Sequence, residues 1–106
     1  KENPMTVTND ELSVNKIKKA VCDFYGLTKT QIESKSRTKN IANARHIAVY
    51  LCRKHLDMPF AKIGLEFGNR DHSTIMSSYE KMVKLLKDKE QFQQALQQIE
   101  KQLGIQ

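Results

Sequence analysis

Apolar residues recur at intervals of three and four along most of the chain, and this spacing constrains the fold more than any other feature. Such intervals place apolar side chains on one face of an α-helix. The first run contains Val14, Ile17, Val21 and Phe24, and Gly26 follows it as a stop signal. No alternating apolar and polar run is long enough to predict a strand. The sequence therefore predicts an all-α fold.

After the first helix, the same spacing predicts five more. A short helical turn follows Thr28, and a polar loop over 34–40 separates it from a long helix that ends near His55. A short helix then runs from about Pro59 to Phe67, and two more helices complete the chain. The residues expected to face the core from these helices are Ile32, Ile41, Ala44, Ala48, Leu51, Ile63, Phe67, Ile75, Tyr79, Met82, Leu86, Phe92, Leu96, Ile99 and Leu103. We expect a compact bundle of about six helices.

The length of 106 residues fits a single domain, which we place at 11–106 after a polar linker over 1–10. The chain start has no apolar segment of the secretory type, and no stretch approaches the roughly 20 apolar residues that a membrane span needs. The two cysteines, Cys22 and Cys52, are widely spaced within apolar helical patterns. This predicts buried, reduced thiols in a cytoplasmic protein.

Positive charge is concentrated in the middle of the chain. The sequence has 18 basic and 12 acidic residues, a net charge of +6. Residues 13–79 hold twelve basic and five acidic residues, a net charge of +7, whereas 1–12 carry −2 and 80–106 carry +1. Such a concentration favours a polyanion such as nucleic acid, or an anionic membrane surface.

The run Asp71-His72-Ser73 has the residue types of a nucleophilic relay, but its spacing argues against one. A relay needs the base and hydroxyl within about 3 Å, with the acid on the far nitrogen of the base. Consecutive helical residues point about 100° apart, so three neighbours cannot line up in this way. Nucleotide-binding glycine loops are absent from the sequence, and the histidines and cysteines lack metal-ligand spacing. We expect no catalysis, no metal and no cofactor in this chain.

The segment PFAKIGLEFGNRDHSTIMSSYEKM fits a variant helix-turn-helix. This motif needs two steeply crossing helices, a small residue where they approach, a tight turn, and polar groups on the first turn of the second helix. Gly64 is predicted to permit the approach, and Gly68 to end the first helix with a left-handed backbone. Asn69 and Arg70 lengthen the turn by about one residue relative to the tightest versions.

Two stretches, IGLEFGNRDHSTIMSSYEKM and SKSRTKNIANARHIAVYLCR, closely resemble the C-terminal DNA-binding domain of the DnaA family of bacterial replication initiators. The G-x-R-D-H-[ST]-T core followed by an apolar helix is that family's signature, and the resemblance covers about residues 10–103. It implies a Trp repressor-like helix-turn-helix that binds double-stranded DNA at short asymmetric repeats, the DnaA boxes, of the replication origin.

The resemblance has further implications for the rest of the protein. It implies one copy of this domain per repeat, a nucleoid-associated cytoplasmic location, and an ATPase domain outside this chain. ATP and Mg²⁺ would bind in that domain, and oligomerisation would also use domains outside this chain.

The resemblance also assigns roles at the start of the second helix. We expect Asp71 both to cap that helix, by accepting from the N–H of Ser73 or Thr74, and to accept from a cytosine amino group in the major groove. His72 is expected to donate to guanine N7 or O6. Ser73 and Thr74 offer hydroxyls to phosphate, and Thr74 offers a methyl group to a thymine methyl. The structural alternatives are a simple cap, a solvated histidine and ordinary first-turn residues.

Other contacts implied by the resemblance lie upstream. Arg37 is expected to enter the adjacent minor groove, whose negative potential attracts a guanidinium group. The expected phosphate contacts are Lys35, Lys39, Arg45, His46, Arg53 and Lys62. Phe60 and Ala61 occupy positions that present apolar atoms to thymine methyls, although Phe60 is equally compatible with the core. Arg70 is left open between a phosphate contact and an ion pair within the fold.

The sequence departs from the family in ways that concern the backbone contacts more than base reading. The family often has a denser basic run in the loop and a proline before the Arg45 position, where this chain has Ser36, Asn43 and Ala44.

Two other classes of function compete with DNA binding. The C-terminal helix KEQFQQALQQIEKQLG is nearly charge-balanced, and its Gln-rich face, with Gln94 and Gln98, could serve a protein-interaction module. Membrane association is the third interpretation, but the helices lack the division between a basic face and an aromatic face that is typical of surface-lying helices.

Overall fold

Six α-helices follow one another in the computed structural model, which describes residues 12–36 and 38–104. They are α1 (Val14–Tyr25), α2 (Lys29–Glu33), α3 (Lys39–Leu56), α4 (Phe60–Glu66), α5 (His72–Asp88) and α6 (Glu90–Leu103). The predictions of an all-α fold and of about six helices are confirmed. The linker predicted over 1–10 lies outside the described residues.

The helix ends follow from local sequence signals. Thr28 and Gln31 form a reciprocal capping box at the start of α2, with bonds of 3.1 and 2.8 Å. Gly26 ends α1 with φ of 69°, as predicted. Lys39 begins α3, so the loop predicted over 34–40 is two residues shorter at its end. None of these six helices combines the length and hydropathy that a bilayer-spanning helix needs.

The long helix α3 lies at the centre of the bundle and packs against α1, α2, α4 and α5, while α6 packs against α1 and α5. Every helix buries apolar side chains against its neighbours. The fully buried apolar side chains include Ile17, Val21, Ile32, Ile47, Leu51, Ile63, Phe67, Ile75, Met82 and Ile99. Tyr79, Leu86 and Leu103, also predicted to face inward, pack against this core but are only partly buried. The structure therefore supports the predicted core faces of α2 to α6.

The prediction is wrong for Phe24, which the apolar spacing places on the inward face of α1. Its side chain is 42% exposed in the last turn of that helix. The next residue, Tyr25, packs against the core instead, and the two rings meet edge-on with centroids 5.1 Å apart. In the last turn of α1, the residue that faces the core is therefore Tyr25, one position after the predicted Phe24.

The buried cation Lys18 joins three elements. Its side chain is only 3% exposed, and its Nζ lies 2.8 Å from Oε2 of Glu33 and donates to the carbonyl of Glu66. The same ammonium group lies 4.8 Å from the ring centroid of Phe67. A buried charge needs such partners, because removing one would leave the other uncompensated. Lys18 thereby fixes α1 and α2 against the end of α4.

Both cysteines are free and buried, as predicted. Burial raises the pKa of the Cys22 thiol, and it raises the pKa of Cys52 to about 12. The Cys52 thiol therefore stays protonated at neutral pH, which fits a side chain that fills the core rather than a reactive nucleophile.

Candidate nucleic-acid interface

The corner between α4 and α5 depends on two glycines. Gly68 and Asn69 both have left-handed backbones, with φ of 83° and 58°. The N–H of Arg70 donates to the carbonyl of Gly64 over 2.9 Å, so the turn folds back onto α4. A Cβ at Gly64 would clash with the carbonyl oxygen of Arg70 and would lie 3.4 Å from Cγ1 of Ile75. The predicted close approach at Gly64 is confirmed, and it involves the backbone of the turn as well as α5.

Asp71 caps the start of α5. Its Oδ1 accepts from the backbone N–H of Thr74 over 3.0 Å, as predicted. Hydrogen bonds from the Thr74 side chain and N–H hold the pKa of this fully exposed carboxyl below its ordinary value. Asp71, His72, Ser73 and Thr74 are all exposed. The first turn of α5 therefore presents an acid, an imidazole and two hydroxyls to solvent.

Two arginines hold the loop between α2 and α3 against the turn. Nη2 of Arg45 donates to the carbonyls of Ser34 and Ser36 over 2.7 and 3.2 Å, and its Nε donates to Ile32 over 3.1 Å. Nη2 of Arg70 donates to the same Ser34 carbonyl. The loop and the start of α5 are therefore tied together through one backbone oxygen.

The structure corrects the expectation for Arg45. Its side chain is buried, with 8% exposed, rather than extended toward solvent as a phosphate contact would require. Burial and the neighbouring guanidinium of Arg70 lower the pKa of Arg45. Its physical role is to donate to backbone carbonyls at the end of α2 and in the loop, which need hydrogen-bond partners. Arg70 donates to the Ser34 carbonyl, which supports a role in the fold, and a phosphate contact by this side chain stays a prediction.

His46 joins α3 to α5. Its Nδ1 lies 2.5 Å from Oγ of the buried Ser78. Burial, followed by the charges of Lys81 and Arg45, lowers the pKa of His46 to about 4. The imidazole is therefore neutral at physiological pH, and it is half-buried rather than a freely exposed group.

Phe60 belongs partly to the core and partly to the surface. The ring centroids of Phe60 and Tyr79 lie 5.5 Å apart, and the guanidinium of Arg53 lies 4.9 Å from the Phe60 ring. Arg53 also donates to the carbonyl of Met58 over 2.9 Å, so part of this side chain is already engaged. The ring of Phe60 therefore packs α4 against α5, and its contact with a thymine methyl stays a prediction.

The remaining predicted contacts differ in what the structure says of them. Ala61, Lys62, Lys35 and Lys39 are exposed and therefore accessible to a partner. Arg37, the predicted minor-groove residue, lies outside the described residues. The α2–α3 loop, α3 and α4 are held against α5 or its preceding turn by contacts of Arg45, Arg70, His46 and Phe60. The exposed lysines and Ala61 lie on that loop and on those two helices.

Sequence reasoning missed Lys81. This residue lines the same cavity as His46 and Thr74, between α3 and α5. A spacing of seven residues, two turns of helix, separates Lys81 from Thr74, so helical periodicity could have placed it on the same side of α5. Residues 12–36 and 38–104 contain no group of three or more histidine, cysteine or acidic side chains arranged to hold a metal ion.

Comparison with known proteins completes the assignment. A family model described as bacterial dnaA protein helix-turn-helix matches residues 14–82, a range that includes α1 to α4 and most of α5. The chain belongs to the DnaA family. It is similar to the chromosomal replication initiator protein DnaA of Spiroplasma citri, with 38% identity over 95 residues. That match covers 90% of this chain and 21% of the relative, so the chain spans about a fifth of the relative's length.

The resemblance to the C-terminal DNA-binding domain of DnaA is therefore confirmed, and the chain is a DNA-binding helix-turn-helix domain of that family. In this DnaA domain the corner of α4 and α5 is the helix-turn-helix, with α5 as the second helix. The second helix is the one that enters the major groove in such motifs.

Proposed function

We propose that this DnaA domain binds double-stranded DNA sequence-specifically, at the short asymmetric repeats called DnaA boxes in the chromosomal replication origin. The observation that carries the proposal is the exposed polar first turn of α5, which Asp71 caps and which the hydrogen bond from Arg70 to Ser34 ties to the α2–α3 loop. A helix start with free polar groups is the part of a helix-turn-helix that reads base edges.

Base reading is assigned to four residues of α5 and its cap. His72 donates to guanine N7 or O6, and Thr74 places its methyl group against a thymine methyl. A carboxylate has two oxygens, so capping through Oδ1 is compatible with acceptance of a cytosine amino proton by Asp71. Ser73 contributes a hydroxyl to phosphate or base. Ala61 and the partly exposed side chain of Phe60 complete the apolar contacts to thymine.

The backbone contacts are assigned to exposed lysines and to one neutral histidine. Lys35, Lys39 and Lys62 attract phosphates as exposed cations, and Arg53 contributes the part of its guanidinium not bound to Met58. If Nδ1 of His46 accepts from Ser78, then Nε2 carries the proton and donates to a phosphate without a charge. Arg37 enters the minor groove beside the α5 site.

The context of this activity follows from the family. We propose that one copy of the domain occupies each repeat, in the bacterial cytoplasm at the nucleoid. An ATPase domain elsewhere in the protein supplies ATP-dependent assembly. This domain itself binds DNA without catalysing a reaction.

The test compares two variants on two duplexes, a cognate repeat and a scrambled one of equal length, over a salt series. His72→Ala is expected to cost about 1–3 kcal/mol on the cognate duplex and little on the scrambled one. Lys39→Ala is expected to weaken both duplexes alike and to flatten the salt dependence. Equal losses on both duplexes for His72→Ala would refute base reading by this residue.

A further inference from the structure

A groove between α3 and α5 continues away from the base-reading turn. One concavity of about 250 Å³ begins at Thr74 and reaches His46 and Lys81. A second, of about 320 Å³, shares those last two residues and extends to Lys39 and to Lys89 at the junction of α5 and α6. The two together form one path, here called the α3–α5 groove, from the start of α5 to its end.

The lining of this groove is basic. Lys39, Lys81 and Lys89 contribute three exposed ammonium groups, and edges of Arg45 and Arg70 contribute to the end near Thr74. Among the described residues that line the two concavities, none is acidic. An unopposed row of cations along a groove attracts a polyanion and raises its local concentration.

The polar neutral side chains in the groove are suited to the same ligand. Ser77 lies near Thr74, and Asn43 and Gln91 lie beside Lys39 and Lys89. Hydroxyl and amide groups donate to phosphate oxygens alongside lysines in protein–DNA contacts. A groove with both kinds of donor and no carboxylate in its lining fits a phosphodiester backbone.

The length of the groove indicates how much backbone it can follow. Thr74 and Lys89 are fifteen residues apart at a helical rise of about 1.5 Å, a distance of about 22 Å. A duplex advances about 3.4 Å per base pair along its axis, so a duplex lying parallel to the groove matches this length with about six base pairs.

We propose that the α3–α5 groove binds the phosphodiester backbone of duplex DNA that flanks the repeat on one side, with Lys81 and Lys89 as its phosphate contacts. The proposal rests on the proposed function, because the repeat must lie at Thr74 for its flank to enter the groove. Lys81 and Lys89 then extend the footprint of the domain beyond the base pairs that α5 reads.

The test uses Lys81→Ala/Lys89→Ala on three duplexes that share the same repeat: one with no flanks, one extended on the left and one extended on the right. The matched control is Lys84→Ala/Lys87→Ala, which removes two exposed lysines of α5 outside the groove lining. Wild type is expected to bind one of the extended duplexes on the order of tenfold more tightly than the unflanked one. Lys81→Ala/Lys89→Ala should lose that gain and reduce the salt slope by about two, whereas the control variant should keep the gain.

The outcomes separate this inference from the proposed function. If wild type gains nothing from either flank, or if the double variant keeps the gain, the groove does not bind flanking DNA, even where discrimination between cognate and scrambled repeats is intact. If wild type does not discriminate between cognate and scrambled repeats, base reading fails and this inference fails with it, because no register then places a flank in the groove.

Discussion

Two neighbouring regions of this domain use polar residues in opposite ways. At the start of α5, Asp71 to Thr74 are exposed, and the side-chain bond there is the cap of the helix itself. Immediately beside it, Arg45 and Arg70 are committed to the carbonyls of the α2–α3 loop. The first region is free to meet a partner, and the second fixes where the first one stands. Basic residues in one stretch of sequence therefore serve two roles: buried ones stabilise the fold, and exposed ones are available to a partner.

The largest expected effect breaks the corner itself. Gly64→Ala places a methyl group against the carbonyl oxygen of Arg70, a backbone atom that cannot move without opening the turn. We expect a loss of about 3 kcal/mol in the free energy of unfolding. Urea denaturation measures it, with Glu66→Ala, an exposed change in the same helix, as the control. A Gly64→Ala variant as stable as the control would contradict the close approach.

The next effect separates the two regions. Arg45→Ala removes the donor to the carbonyls of Ile32 and Ser36 and leaves Ser34 with Arg70 alone, and we expect a loss of about 2–3 kcal/mol in stability. His72→Ala, in the exposed region, should change stability by less than about 0.5 kcal/mol. Denaturation of the two variants side by side measures this difference. If Arg45→Ala proved as mild as His72→Ala, the buried arginine would not brace the loop.

The stability of the bundle should depend on pH through His46. The pKa of this residue is about 4 in the folded state, below the ordinary value of 6.5, so the unfolded chain binds the proton first. Neutral, buried His46 contributes fully to the free energy of unfolding above about pH 6.5, and this contribution is lost as the pH falls toward 4. We expect a loss of about 2 kcal/mol between pH 7 and 4.5.

The matched variants for this pH effect are His46→Gln and His72→Gln. His46→Gln should remove most of the pH dependence, because glutamine does not titrate, whereas His72→Gln alters an exposed histidine and should retain it. Denaturation curves at several pH values compare the three proteins. An unchanged pH dependence in His46→Gln would show that burial of this imidazole is not its source.

The smallest expected effect concerns the exposed part of the loop. Lys35→Ala should leave stability unchanged within about 0.5 kcal/mol, because the side chain is exposed. It should weaken binding to cognate and scrambled duplexes alike and should reduce the salt slope by about one phosphate, or 0.9. Fluorescence titrations at several salt concentrations measure this slope. A loss confined to the cognate duplex would make Lys35 a base-reading residue instead.

The sequence predicted most of the fold because the relevant signals are local. Helical spacing located the six helices, and the stop at Gly26 and the cap at Asp71 depend on residues within one turn of each end. Phe24 departed from its predicted place because the inward face shifts to Tyr25 in the last turn of α1.

The candidate site was harder to predict because its arrangement depends on distant partners. The carbonyls that accept from buried Arg45 belong to residues nine to thirteen positions earlier in the sequence. The carbonyls that accept from Lys18 and Arg70 are separated from them by even more residues. Charge along the sequence made Arg45 resemble an exposed cation, and only the folded backbone supplies its acceptors. The exposed residues 71–74 were predictable because a helix start needs no tertiary partner to be polar and free.

The most direct test of the account is the ratio of dissociation constants for a scrambled and a cognate repeat, measured for the wild-type domain at physiological salt. Specific readout by the first turn of α5 predicts a ratio of about 10³ or more. A ratio near one would mean that the domain holds DNA through its phosphates alone, and the assignment of base reading to Asp71, His72, Ser73 and Thr74 would be wrong.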